Sequence, residues 1–101
     1  MQKGKERKLR LKEYGISDER YMELKYIALQ YCENRKSTDE RRRGKAAAVE
    51  AAADAADPSL AKYVLRNVTE KQRYEEMPVP AGINQFFRAR RMFFVELDKR
   101  V

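Results

Sequence analysis

Asn84, Gln85, Arg88 and Arg91 follow one another at helical spacing in "INQFFRARRMFFVEL", near the end of the chain. Asparagine and glutamine amides pair bidentately with adenine, arginine pairs with guanine, and any of them can hold a phosphate. Two further groups of cations precede them. One is Lys5, Arg7 and Lys8, flanked by Lys3, Arg10 and Lys12; the other is Arg41, Arg42, Arg43 and Lys45. With 39% charged residues and a net charge of +7, the chain favours a polyanionic partner, and nucleic acid is the default. The three groups can meet on one face, or each can be a solvated surface.

Catalytic chemistry finds little support. Histidine is absent, which removes the usual general base and the commonest zinc ligand, and Cys32 stands alone, so neither a thiolate site nor structural zinc is expected. Gly4, Gly15, Gly44 and Gly82 are isolated from one another and form no phosphate loop. No EF-hand spacing or paired acid is visible among the carboxylates. A non-enzymatic protein without metal or cofactor is the expectation. A lone cysteine, no secretory segment and no run of about 20 apolar residues point to the cytoplasm and away from a membrane.

The elements that position these side chains read as helices. Residues 1–13 form a flexible basic arm, and residues 14–101 a single helical domain. Ser17 caps a helix over 18–35, with Tyr21, Leu24, Ile27, Ala28 and Tyr31 as one apolar stripe and Met22, Tyr26 and Leu29 as a second beside it. Ser37-Thr38-Asp39-Glu40 has the form of a capping box and opens a helix through the alanine-rich "AAAVEAAADAAD", whose small side chains allow close approach of a neighbour. Asp57-Pro58 ends that helix and starts another, with Leu60, Ala61, Val64, Leu65 and Val68 on its inner face. Thr69 then caps a short helix that buries Tyr74 and Met77, and "PVPAG" stops it.

On the last helix Ile83, Phe86, Phe87, Phe93, Phe94, Leu97 and Val101 fall near a single stripe, interrupted by Arg90. Arg90 belongs on the core rim or in a subunit contact. The face opposite Phe86, Phe93 and Phe94 carries Asn84, Gln85, Arg88 and Arg91. The expected fold is all-α, a small helical bundle of four to five helices with a C-terminal helix-turn-helix-like unit over residues 69–99. In such a unit the second helix lays its first turns into the major groove.

"YMELKYIALQY", "DPSLAKYVLRNVTE" and "VPAGINQFFRARRMFFVELDK" resemble small phage and prophage proteins of Firmicutes. Some of these look like late-gene transcription regulators of the RinA and ArpU type. The resemblance spans residues 14–99 and departs at "TEKQRYEEM", where those proteins often carry a glycine and a longer apolar helix. It implies phage origin, a bacterial host cytoplasm and double-stranded DNA as partner. Three classes follow: a DNA-binding transcriptional regulator, a packaging accessory similar to a terminase small subunit, and an inhibitor or adaptor that binds a host protein such as a nucleic-acid enzyme. A homodimer is compatible with the first.

Overall fold

Tyr14-Gly15-Ile16-Ser17, the break between arm and domain, is the first place where local chemistry dictates the path. In a computed structural model, which describes residues 11–101, Leu11–Tyr14 make a 3-10 turn closed by the Gly15 amide on the Lys12 carbonyl at 3.1 Å. Gly15 has φ 80°, a left-handed conformation that strains any residue with a Cβ. Leu11 and Ile16, on either side, are both buried. Leu11, Lys12 and Glu13 therefore belong to the domain and not to the arm, because one buried leucine anchors them to the core.

Ser17 caps helix α1 (Asp18–Leu29), accepting the Arg20 amide on its hydroxyl at 3.0 Å. The single helix expected over 18–35 is broken at Gln30, where φ −87° and ψ 3° depart from helical geometry, and α2 (Tyr31–Lys36) follows. Leu24 and Ala28 are fully buried, with Tyr21, Ile27 and Tyr31 packed beside them. Met22, Tyr26 and Leu29 of the second stripe face solvent. The cap of α3 (Glu40–Ala56) is Asp39, whose carboxylate accepts the Arg41 amide at 2.9 Å; Ser37 instead accepts the Asp39 amide. The expected Ser37–Glu40 capping box gives way to this arrangement because the aspartate is nearer the open amides.

Asp57 does not start a helix. Its carboxylate accepts both the amide and the hydroxyl of Ser59, closing a local turn, and α4 (Ala61–Glu70) begins after it. Thr69 is no cap either. It lies in the last turn of α4 and donates its hydroxyl to the Leu65 carbonyl at 2.7 Å. α4 ends at Lys71, which takes φ 62°, with the Lys71 and Gln72 amides on the Asn67 and Arg66 carbonyls. The short helix expected next is a 3-10 turn, Tyr74–Glu76. Met77 is buried and Tyr74 packs on the core, but two core residues on one turn do not make a helix. The first helix of the unit read over residues 69–99 is therefore absent: Thr69 and Glu70 end α4, and between them and Ile83 the chain makes only this 3-10 turn.

α5 (Ile83–Arg100) is the central element. Phe86, Ala89, Phe93, Phe94, Val95 and Leu97 are all buried, a wider surface than one stripe, as expected of a helix covered on several sides. Its most extensive contact is with α3, where Ala46, Val49, Ala52 and Ala53 are buried and small side chains bring the two axes close. α1 and α4 cover the other side. Tyr21 meets the Phe94 ring edge-on at 5.1 Å, and Phe93 meets Phe94 at 5.0 Å. Arg20 ties the start of α1 to the end of α5 through Asp98 at 2.6 Å and the Val101 carbonyl at 2.9 Å. The fold is an all-helical bundle of five α-helices, with no strand among the described residues. No helix of the described residues is long and apolar enough to cross a membrane.

Candidate nucleic-acid interface

The entry to α5 is held from below. The Tyr74 hydroxyl donates to the Ala81 carbonyl at 2.6 Å, and the Tyr74 ring packs against Phe86 at 5.4 Å. Gly82 is the N-cap and brings no side chain to the open amides that follow, so the first turn of α5 presents backbone donors at the positive end of the helix dipole. Asn84 and Gln85 are exposed on this turn and Arg88 on the next. Among the described residues none of the three makes a side-chain hydrogen bond or ion pair. Arg91 differs: it is half-buried, and its Nε is enclosed without a partner. The polar face read from spacing narrows to three side chains, because α5 sinks into the bundle as it proceeds.

The second basic group divides in the same way. Arg42 donates Nε to the buried Asn34 at 2.9 Å and reaches Glu33 at 3.6 Å, while Arg43 donates to the Ser37 carbonyl at 3.1 Å. These two arginines bind α2 to α3. Tyr31 of α2 adds a hydrogen bond to Glu50 of α3. Arg41 and Lys45 stay exposed and enter no ion pair among the described residues. Lys5, Arg7 and Lys8 lie outside the described residues, as do Lys3 and Arg10.

A third feature escaped sequence reasoning. Between α1, α4 and α5 lies an open pocket of about 380 Å³. Lys25, Lys71 and Arg90 line it, with Leu29, Val68 and Phe94 as its apolar lining, and the Lys25 ammonium lies 5.9 Å from the Tyr21 ring centre. Arg90 donates Nε to Asn67 Oδ1 at 2.6 Å, Asn67 Nδ2 donates to the Gln72 carbonyl at 2.8 Å, and the guanidinium lies 5.4 Å from the Phe94 ring centre. The interruption by Arg90 of an otherwise aromatic stripe was the one available signal. Lys25 and Lys71 are ordinary surface lysines until the chain is folded.

Comparison of the chain with protein-family models, with curated proteins and with solved structures finds no match.

Proposed function

We propose that this chain is a phage-encoded DNA-binding protein, a transcriptional regulator acting in the cytoplasm of a bacterial host. One observation carries the reading. Asn84, Gln85 and Arg88 project, unpartnered among the described residues, from the first two turns of a helix whose Phe86, Phe93, Phe94 and Leu97 are locked in the core. A rigid helix that offers amide and guanidinium groups at its N-terminal end matches the way a recognition helix enters the major groove. The first two turns of α5 then read bases, and the open amides at its start meet a phosphate. Arg41 and Lys45 add sequence-independent affinity through the backbone.

Selection of bound fragments from a random duplex library, followed by titration at several salt concentrations, tests this. An enriched motif and a steep fall of affinity with salt support it. A free protein with no duplex affinity overturns it. A specific observation favours a second reading, in which the chain is an inhibitor or adaptor. Met22, Tyr26 and Leu29 recur at helical spacing on α1 and are 61%, 62% and 37% exposed, an apolar stripe suited to a protein partner. A stoichiometric host protein captured by the chain, lost on Tyr26→Asp, together with absent duplex affinity, selects that reading.

A further inference from the structure

Lys25, Lys71 and Arg90 line one pocket with three like charges, and among the described residues no carboxylate lines it. None of the three enters an ion pair among the described residues. Like charges that converge on a partly enclosed space repel one another more than they would in open water, and an anion between them removes that cost. The pocket is also built in detail. Asn67 uses its carbonyl for Arg90 and its amide for Gln72, so its orientation is fixed from both ends. Arg90 is held at Nε and against Phe94, which leaves the two terminal nitrogens of a pre-aimed guanidinium for a ligand; a planar fork of this kind suits phosphate. Lys71 holds a left-handed backbone where glycine is the preferred residue. The chain keeps a lysine there at a conformational cost, and its side chain reaches the pocket.

The geometry points to a binding site for a phosphomonoester that carries an apolar or aromatic body, the class to which a nucleoside monophosphate belongs. The three cations and Asn67 surround the phosphate, and the exposed Leu29 meets the body, Val68 and Phe94 being buried in the core. The volume of about 380 Å³ falls in the range of small-ligand pockets. The inference goes beyond the DNA-binding reading and does not rest on the first two turns of α5. The phosphate can come from a free mononucleotide or from the 5′ end of a DNA strand, and these sources are separated by experiment.

Calorimetric titration of the full chain with adenosine monophosphate, adenosine and inorganic phosphate is the test. The monophosphate is expected to bind one-to-one and at least about tenfold tighter than either fragment, as loss of charge-assisted hydrogen bonds or of apolar contact requires. Binding no tighter than that of adenosine, or without saturation, overturns the site. Lys25→Gln and Lys71→Gly should each weaken the monophosphate by about tenfold. The second variant relaxes the backbone, so a loss of binding in a protein at least as stable as wild type excludes misfolding as its cause. Unchanged affinity in both variants overturns the proposal. A 5′-phosphorylated single strand that binds tighter than its unphosphorylated form assigns the site to strand ends; equal binding of the two, with the monophosphate still tight, assigns it to a free nucleotide. Arg88→Ala, measured on blunt duplex without terminal phosphate, probes the DNA-reading helix alone, so either assignment can fail without the other.

Discussion

Arg90 of α5 and Asn67 of α4 are joined by a 2.6 Å hydrogen bond that fixes the guanidinium over Phe94. This single contact joins two helices and also aims a cation into the pocket between them. Asn67→Ala should leave the Gln72 carbonyl and Arg90 Nε without their partner and cost about 1 to 3 kcal/mol in urea unfolding. Asn67→Asp retains an acceptor for Arg90 but loses the donor to Gln72, so its loss is expected to be smaller. Equal stability of wild type and Asn67→Ala would show the contact to be ornamental.

Phe93 is fully buried and stacked edge-on against Phe94 at 5.0 Å. Phe93→Ala is expected to lose about 3 to 5 kcal/mol, the usual cost of deleting a core ring and leaving its cavity. Against a total of about 5 to 15 kcal/mol for a domain, that is a large share. A sharply lowered denaturation midpoint is the expected result, and a shift within about 0.5 kcal/mol, the range of ordinary surface changes, would remove Phe93 from the core.

Arg88 and Arg91 separate cleanly although they lie one helical turn apart. Arg88 is exposed, so Arg88→Ala should change stability by no more than about 0.5 kcal/mol while costing about 1 to 3 kcal/mol of discrimination between operator and random duplex. Arg91 encloses an Nε that finds no partner. Arg91→Met keeps the packed stem and removes the unsatisfied donor, and its unfolding midpoint should match or exceed that of wild type. A destabilised Arg91→Met variant would mean that this guanidinium is satisfied after all.

The residues that spacing could identify were those whose role depends on local periodicity. Leu24, Ala28, Val64, Val68, Phe86, Phe93, Phe94 and Leu97 were legible as core because a helix places them on one side, and they are buried. The break at Gln30 was not, since neither glycine nor proline marks it. The caps were misplaced for a different reason. Ser37, Asp39, Asp57 and Thr69 each have several backbone groups within reach, and the choice among them is made by small differences in path. Met22, Tyr26 and Leu29 have the periodicity of a buried stripe, yet among the described residues no other element covers them. The pocket was least legible of all, because Lys25, Lys71 and Arg90 come from three helices and share nothing but their final positions.

Tyr31 and Glu50 supply a test in pH. Burial raises the Tyr31 phenol above its ordinary value of 10.0, and the hydrogen bond to Glu50 and that carboxylate's charge raise it further, with Arg35, 5.7 Å from the ring centre, partly opposing them. The neutral phenol is therefore favoured in the fold relative to the unfolded chain. Its contribution is fully present below about pH 10 and is lost as pH rises through the raised value. The bond joins α2 to α3, the same joint that Arg42 and Asn34 hold, so its loss should loosen α2. Tyr31→Phe is expected to lower stability by about 0.5 to 1.5 kcal/mol at neutral pH, the net worth of one hydrogen bond. Above the folded value the wild type gives up the same interaction, and the gap between the two proteins should close. Urea midpoints measured for both from neutral pH upward give the comparison. A constant gap would mean that the phenol does not ionise in that range or that its hydroxyl bond contributes nothing to the joint.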